Sequence, residues 1–400
     1  MKRNHLFFIL ALVLFSLASG CRKVETGTPL ASTAANFTAE IMNQGYSPCD
    51  VKFTNLSLCA TAYSWDFGNG QTSIEKDPVT HYELPGLYTV KLICTPVNDV
   101  YYNKLEKTLV VNVKDPLAGR SQVLYFTSRS ATVGNGHMVI LTDGTPLVQD
   151  FEPTDMERPY GIAADTTHNK VYITDYSMGA IYRFDADGKN PQKILDINVP
   201  GQEIVGDPEA IFVLGDKIYW GRTGGIYRAN LDGSNPEAFI ITGTTPPEYP
   251  IDMQYDPISN KIYLINDKTD YSGGYWSVNF DGSGFKEDIP SIDGTALEVD
   301  VTGGKTYFAI YGSAGSPVTQ NGIYMSGIDG SGLNQIGDFG AKATWGVAID
   351  YKRSKLFWSY KKSNSDPDGK IVRANLDGSS PEDWLTGVSP HAMSIVWIKL

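Results

Sequence analysis

An Asp-Gly pair recurs at a nearly constant interval through residues 120–400 of this 400-residue chain. The successive intervals are 44, 45, 49, 48 and 48 residues. The pairs are Asp143-Gly144, Asp187-Gly188, Asp232-Gly233, Asp281-Gly282, Asp329-Gly330 and Asp377-Gly378. Self-similarity at a period of roughly 20 to 50 residues is typical of repeat proteins, whose units bury their apolar faces only against their neighbours.

Short aromatic segments of strand character precede most of these pairs. A Lys-led segment such as Lys170–Asp175 or Lys217–Trp220 comes first in five periods, and a segment such as Gly225–Asn230 leads into the turn. Asp-Gly is a two-residue hairpin signal, and four short strands in about 45 residues are typical of one β-propeller blade. The sequence therefore predicts six blades, at residues 121–155 with 390–399, 156–198, 199–243, 244–290, 291–340 and 341–387.

The last residues are predicted to complete the first blade. Pro390–Ile398 is similar to the first strands of other blades, such as Pro159–Ala163, whereas the array opens at Val123–Phe126 with a second-strand pattern. We therefore expect the C-terminal strand to insert as the innermost strand of the first blade. A ring closed in this way leaves no large sheet edge exposed.

Residues 36–115 predict a second, smaller all-β domain. Apolar and polar residues alternate in short runs such as Val51–Asn55 and Leu87–Ile93, separated by turn formers. This pattern is typical of antiparallel strands, and about seven strands in a domain of this size suit an immunoglobulin-like sandwich.

Three segments of this domain carry a family resemblance. Trp65-Asp66-Phe67-Gly68-Asn69-Gly70, His81-Tyr82 and Pro85–Val90 resemble the PKD domain, with Asn69 in place of the usual Asp. The resemblance implies that Trp65 and Tyr88 are core anchors, and that the domain is a spacer or an adhesion module.

The repeats resemble the six-bladed YWTD propellers of the low-density-lipoprotein-receptor type. Val171–Asp175 is a near match to the Tyr-Trp-Thr-Asp signature, and Ile218–Trp220 matches it in part. Later blades keep the strand pattern without Thr-Asp. Related rings bind proteins, bind sugars or hydrolyse lactones, so the resemblance implies a shape and leaves the activity open.

Residues 1–21 are predicted to be a secretory signal. A basic start is followed by an apolar run from Leu6 to Ala18, which is too short for a permanent membrane span. The tail ending at Cys21 resembles a bacterial lipobox, although Ala18 stands where Leu is commoner. The resemblance implies acylation of Cys21, and an unmodified Cys21 is the alternative.

The N-terminal residues predict where the protein is located in the cell and how its domains are arranged. Residues 22–35, rich in Thr, Ser, Pro and Ala, are expected to be a flexible tether. The whole chain resembles outer-membrane lipoproteins of Bacteroidetes-like bacteria, facing either the periplasm or the outside, with the PKD-like domain holding a monomeric propeller away from the membrane.

Three cysteines follow Cys21, and export favours one disulfide bond. In a PKD-like sandwich the strand that begins near Tyr63 pairs with the strand that ends near Cys94. We therefore predict a bond between Cys59 and Cys94, with Cys49 at the other pole.

The candidate ligand-binding residues come from projecting the repeats onto the loop face at the central opening. Aromatic rings with carboxylates and basic groups suit a glycan, and they suit a protein partner equally well. His391 is expected to be a hydrogen-bonded structural group rather than a base. The candidates are Tyr160, Glu209, Trp345 and His391 where first strands begin, Arg158 and Asp252 beside them, and Arg222, Tyr271 and Tyr360 on the other loops.

Composition and missing motifs narrow the function. With 33 basic against 45 acidic residues the net charge is −12, which argues against a nucleic-acid partner. The sequence has no His-Glu-x-x-His, no Cys/His metal spacing and no Gly-x-Ser-x-Gly.

We expect a non-catalytic binding protein without a cofactor. A purely structural envelope role is one alternative. The other is a lactonase-like hydrolase or lyase using channel acids and His391, in which Glu209, Asp252 and Glu298 could converge on a calcium ion.

Overall fold

The computed structural model describes residues 33–97, 103–129, 134–242, 247–267, 273–312, 316–337, 344–361 and 369–400. The chain divides into two compact units, the first ending at Ala118 and the second beginning at Gly119. The described residues form strands and two 3-10 turns, Asn43–Gly45 and Glu203–Val205, which confirms the all-β prediction. The predicted signal, Cys21 and most of the tether lie outside these residues.

Within the described part of the chain, no helix is long and apolar enough to cross a membrane.

The first unit is a sandwich of two antiparallel sheets. Its strands are β1 (Phe37–Ile41), β2 (Cys49–Asn55), β3 (Ala60–Asp66), β4 (Thr72–Ser73), β5 (Val79–Tyr82), β6 (Gly86–Pro96) and β7 (Leu105–Val113). The strand orders are β1-β2-β5 and β4-β3-β6-β7. The alternating pattern of β2 places Val51 and Phe53 in the core, where Trp65 packs edge-on against Phe37.

The predicted disulfide bond between Cys59 and Cys94 is wrong for this structure, because Cys94 is a free thiol. The strands pair as expected, with Cys94 opposite Tyr63, but Cys94 points into the core and its Sγ donates to Ser57 Oγ at 3.1 Å. Cys59 lies before β3, and its carbonyl accepts from the Val97 N–H at 3.1 Å. The backbone therefore places Cys59 opposite residue 97, past Cys94.

The second unit consists of six four-stranded antiparallel sheets, one for each predicted blade. The first sheet holds β8 (Ser121–Arg129), β9 (Gly134–Ile140) and β10 (Val148–Asp150). The next two hold β11 (Pro159–Asp165), β12 (Lys170–Asp175), β13 (Ala180–Asp185) and β14 (Gln192–Asp196), then β15 (Ile211–Leu214), β16 (Lys217–Arg222), β17 (Gly225–Asn230) and β18 (Glu237–Ile241).

The remaining strands follow in the same order, with the last one returning to the first sheet. They are β19 (Pro250–Asp256), β20 (Lys261–Asn266), β21 (Gly274–Asn279) and β22 (Lys286–Pro290); β23 (Asp293–Asp300), β24 (Lys305–Tyr311), β25 (Gly322–Gly327) and β26 (Asn334–Gly337); β27 (Val347–Asp350), β28 (Lys355–Tyr360), β29 (Gly369–Asn375) and β30 (Glu382–Val388); and β31 (Pro390–Ile398).

The C-terminal strand β31 pairs with β8 and lies at one edge of the first sheet, in the order β10-β9-β8-β31, as predicted. Its register sets Met393 opposite Phe126 and Ile395 opposite Leu124. The first strand of each sheet contacts that of the next, and β31 contacts both β27 and β11.

The Asp-Gly pairs lie in connections longer than the expected two-residue hairpin. Asp187-Gly188, for example, lies between the end of β13 and the start of β14. Five of the six glycines have positive φ, Gly144 being the exception, and the Asp232 carboxylate accepts from the Ser234 N–H at 2.9 Å. At Gly233 a Cβ would meet the Ile194 carbonyl oxygen of the previous blade at 2.1 Å, so close contact between blades requires glycine there.

Buried tyrosines explain part of the aromatic pattern. Neighbouring sheets share apolar clusters, and the hydroxyls of Tyr125 and Tyr172 donate to the Ala186 and Leu231 carbonyls in the Asp-Gly connection of the next blade, at 2.7 and 3.2 Å. Each ring therefore fills the space between two sheets while its hydroxyl satisfies a turn carbonyl.

Candidate functional site

Three of the predicted residues lie in contact at one end of the six-sheet unit, which we call the mouth because the first strands begin there. The ring centroid of His391 lies 5.0 Å from that of Trp345, nearly parallel, and 4.7 Å from that of Tyr160. The rings of Tyr160 and Trp345 meet edge-on at 5.9 Å. The contacts arise because β27, β31 and β11 are consecutive first strands.

Arg129, at the end of β8, completes this group. Its guanidinium carbon lies 4.9 Å from the Tyr160 ring centroid and 5.8 Å from that of Trp345. The side chain is 3% exposed, and neither Nη1 nor Nη2 has a hydrogen-bond partner among the described residues. We call Arg129, Tyr160, Trp345 and His391 the mouth cluster.

The buried charge of Arg129 is only partly compensated. A desolvated cation–π contact contributes about 2 kcal/mol, whereas the effective penalty for burying an ion is several kcal/mol. Burial accordingly lowers the pKa of Arg129, with Tyr160 and Glu209 opposing that shift and Arg158 reinforcing it. No anionic acceptor therefore lies at hydrogen-bonding distance from the terminal nitrogens of Arg129 among the described residues.

His391 is not the hydrogen-bonded group that the sequence predicts. It is 1% exposed, and neither ring nitrogen has a hydrogen-bond partner in the described residues. Burial, followed by the positive charges of Arg129, Lys361 and Arg158, holds its pKa well below the usual range. The ring is therefore neutral at pH 7 and can both donate and accept one hydrogen bond.

Glu209 borders the mouth cluster and is 3% exposed. Its Oε1 accepts from the Tyr249 hydroxyl at 2.8 Å, and burial raises its pKa to about 8. Thr174, the Thr of the Thr-Asp signature, positions this residue by donating to the Glu209 carbonyl at 2.7 Å and accepting from the Gly161 N–H at 2.8 Å. The signature thus links two blades at the mouth.

The other predicted residues lie apart from the mouth cluster or at its edge. The Arg158 guanidinium covers the Tyr176 ring at 5.0 Å and borders the cluster. Arg222 donates to the Ile204 carbonyl at 3.1 Å, and the Tyr360 ring is covered by the Lys370 ammonium at 4.8 Å. Arg222 and Tyr360 therefore both serve local packing. Tyr271 lies outside the described residues.

A cavity of about 250 Å³ lies among the first strands and is lined by Asp252, Glu298 and Trp345. Asp252 accepts from the Leu297 N–H at 2.8 Å, and burial raises its pKa to about 7. Burial, and then the negative charge of Asp252, raises the pKa of Glu298 to about 8.

The expected convergence of Glu209, Asp252 and Glu298 on calcium is not seen. The described residues contain no group of three or more His, Cys, Asp or Glu side chains able to hold a metal ion. Glu209 is held by Tyr249 instead, whereas Asp252 caps a backbone N–H between two blades.

A second polar arrangement crosses the first sheet. His137 Nε2 lies within hydrogen-bonding distance of Ser128 Oγ, and its Nδ1 lies 2.7 Å from Asp150 Oδ1. Burial lowers the pKa of His137, while Asp150 opposes that shift. A neutral imidazole between a hydroxyl and a carboxylate is the arrangement that activates a serine nucleophile.

Comparison with known domain families finds a match in the first unit. Residues 28–113 match the PKD domain. The PKD domain ends where the sandwich ends, at the last residue of β7, and its Trp65 is 1% exposed in the core as the resemblance implies.

The chain is similar in fold to solved propeller structures. A chain of a nidogen/laminin complex matches with a TM-score of 0.52 at 17% identity, over 68% of this chain and 98% of that one. TolB from Acinetobacter baumannii gives 0.49 at 14% identity, over 78% and 80%. A gluconolactonase from Xanthomonas campestris gives 0.43 at 13% identity, over 67% and 85%. No curated protein matches the chain.

Sequence reasoning missed Arg129 and Tyr249. Arg129 occupies, in the first blade, the position at the end of the second strand that Tyr176 and Lys361 occupy in other blades. The same projection applied to the first blade would therefore have found it. Its blade is split between the two ends of the array, which hides the correspondence. Tyr249 has no such signal, because its role depends on reaching Glu209 in the neighbouring blade.

Proposed function

We propose that this chain is a non-catalytic binding protein of the cell envelope. In this proposal Cys21 carries a lipid anchor, the PKD domain is a spacer, and the mouth of the propeller binds a glycan or protein ligand. The observation that carries it is the mouth cluster, where buried polar groups that have no partner in the described part of the chain lie against half-buried aromatic residues. Buried polar groups normally find partners within the protein, and a bound ligand would supply them here.

The binding proposal is tested with residues 22–400 as a soluble, unlipidated protein. A glycan array and a pull-down from envelope extracts should give a specific ligand, and replacing both Tyr160 and Trp345 by alanine should abolish its binding. Tyr351→Ala is the matched control, because Tyr351 is 55% exposed and follows β27 at the end opposite the mouth. Absence of any glycan or protein ligand would refute the proposal.

The anchor is tested separately. Metabolic labelling with a fatty acid and fractionation of cells should place the full chain in the outer membrane. Cys21→Ala should release it from the membrane without changing its thermal unfolding. Unlabelled protein that stays in the membrane fraction would contradict lipidation at Cys21.

A hydrolase is the second candidate function, and two observations favour it. Asp252 and Glu298 line one cavity with pKa values raised to about 7 and 8, near the range that suits general acid–base catalysis at neutral pH. Ser128, His137 and Asp150 form the serine arrangement described above. Turnover of lactones, esters or oligosaccharides, with and without a chelator, would support this candidate.

Two variants assign any turnover to its site. Loss of activity in Glu298→Gln would point to the cavity acids. Loss in Ser128→Ala, together with loss of covalent labelling by a fluorophosphonate probe, would point to the serine. No turnover by the parent protein would exclude both.

A further inference from the structure

We propose that the mouth cluster binds the carboxylate of an acidic sugar, with Arg129 as the anion-binding group and the rings of Tyr160 and Trp345 against the sugar face. This inference rests on the proposed binding function and names its ligand class. A ligand that matches the cluster must carry an anionic oxygen group directly on a ring with an apolar face, and a uronic acid has this chemistry.

The charge argument starts from Arg129, whose terminal nitrogens have no partner in the described residues although the side chain is 3% exposed. Arg158 and Lys361 add positive charge close enough to lower the pKa of His391. Among the described residues, Glu209 is the acid whose charge acts on Arg129, and burial raises the pKa of Glu209 to about 8, which favours its neutral form at pH 7. The described side chains whose charges lower the pKa of His391 are therefore all cationic, on a chain whose net charge is −12.

The hydrogen-bonding argument points to an oxygen-rich ligand. His391 offers two unpartnered ring nitrogens, and the buried Trp345 Nε1 has no acceptor in the described residues. A guanidinium fork matches the two oxygens of a carboxylate, and neutral imidazole and indole N–H groups match hydroxyl or carboxylate oxygens. An ammonium or purely apolar ligand would leave all these donors unsatisfied.

The aromatic argument separates a sugar acid from a simple anion. Tyr160 and Trp345 are half-buried residues, and both rings lie against the same guanidinium at 4.9 and 5.8 Å. A uronic acid carries its carboxylate on the pyranose ring, so one residue presents an anion and a C–H face together. Inorganic sulfate or phosphate offers no face for the rings.

The test compares charged and neutral sugars at matched ionic strength by calorimetry on residues 22–400. The probes are trigalacturonate, its methyl ester, sodium sulfate and a triglutamate peptide. Trigalacturonate should bind, and methyl esterification should weaken binding roughly tenfold to a hundredfold, because a hydrogen bond to a charged group is lost. Equal binding of the ester would overturn the proposal, as would a triglutamate peptide that binds more tightly than trigalacturonate.

Arg129→Met separates binding from folding. Replacing an unpaired buried ion by an apolar side chain of similar volume is often neutral or stabilising, so the variant should keep or raise its Tm while losing trigalacturonate binding. Arg228→Met is the matched control, because Arg228 pairs with Glu237 on an outer strand at 2.7 Å and its removal should leave binding unchanged. A lower Tm with unchanged affinity in Arg129→Met would show a structural role and overturn the proposal.

The two levels of inference fail differently. A ligand from the array that is neutral, and whose affinity Arg129→Met leaves unchanged, would refute the acidic-sugar inference while the binding function stands. Sulfate binding equal to trigalacturonate binding would show a simple anion site and also refute it. Absence of binding by every probe, by the array and by the pull-down would refute both.

Discussion

Tyr249 donates its hydroxyl hydrogen to Glu209 Oε1 across 2.8 Å, and this contact joins the third and fourth blades at the mouth. It fixes a buried carboxylic acid beside the mouth cluster. The acid matters for both stability and ligand binding, because its ionisation would bring a negative charge close to Arg129.

Glu209→Gln should make the protein less sensitive to alkaline pH. Burial raises the pKa of Glu209 from 4.5 to about 8, so the stability it contributes is fully present below about pH 4.5 and is lost as pH rises towards 8. Each pH unit in that window removes at most about 1.4 kcal/mol. Urea unfolding at pH 5, 6.5 and 8 should show that the free energy of unfolding of the variant, relative to that of the parent, increases as pH rises. Parallel curves would contradict the raised pKa.

Thr174→Val should destabilise the second and third blades together. The hydroxyl of Thr174, which is fully buried, bridges the Gly161 N–H and the Glu209 carbonyl, and valine removes the partner of both groups. The expected loss is about 1–3 kcal/mol in the free energy of unfolding. Thr174→Ser keeps the hydroxyl and serves as the control. Equal stability of the valine and serine variants would show that the bridge contributes nothing.

Gly233→Ala should cost more stability than Gly215→Ala. Both glycines have positive φ, of 83° and 58°, which disfavours alanine by roughly 1–2 kcal/mol. A Cβ at Gly233 also meets the Ile194 carbonyl oxygen at 2.1 Å, whereas nothing lies within 4 Å at Gly215. Thermal unfolding of the two variants measures the difference, and equal Tm values would show that the turn does not press on the neighbouring blade.

Deleting residues 390–400 should prevent formation of a stable propeller. Without β31, the fully buried strand segment Val123–Phe126 would gain a free edge of backbone donors and acceptors. We expect aggregation in size-exclusion chromatography and no cooperative melt of the second unit. Deleting the exposed Leu400 alone is the control. A monomeric deletion protein that melts like the parent would show that β31 is dispensable.

Cys94 should react as a buried free thiol. Iodoacetamide should modify it in denaturant without any reductant, but not in the native protein, because the side chain is fully buried. Peptide mass spectrometry reads the modification directly. A digest that contained Cys59 and Cys94 in one disulfide-linked pair would support the bond that the sequence predicts.

The repeat period and the strand alternation were enough to predict the six sheets, the sandwich and the return of the last strand to the first sheet. These features depend on local patterns, since a strand that buries one face must alternate and a turn with positive φ favours glycine. The disulfide prediction was less reliable, because strand order placed Cys59 and Cys94 near each other but did not fix the register or the direction of each side chain.

The amino-acid sequence by itself determined which positions lie where the first strands begin, and therefore that Tyr160, Glu209, Trp345 and His391 occupy equivalent places. Only the tertiary structure decided that the two terminal nitrogens of Arg129 lie among them without a hydrogen-bond partner in the described residues, and that burial raises the pKa of Glu209. Hydrogen-bond satisfaction and pKa depend on all the neighbours of a group in space. Those neighbours come from different blades, and no pattern within one repeat specifies them.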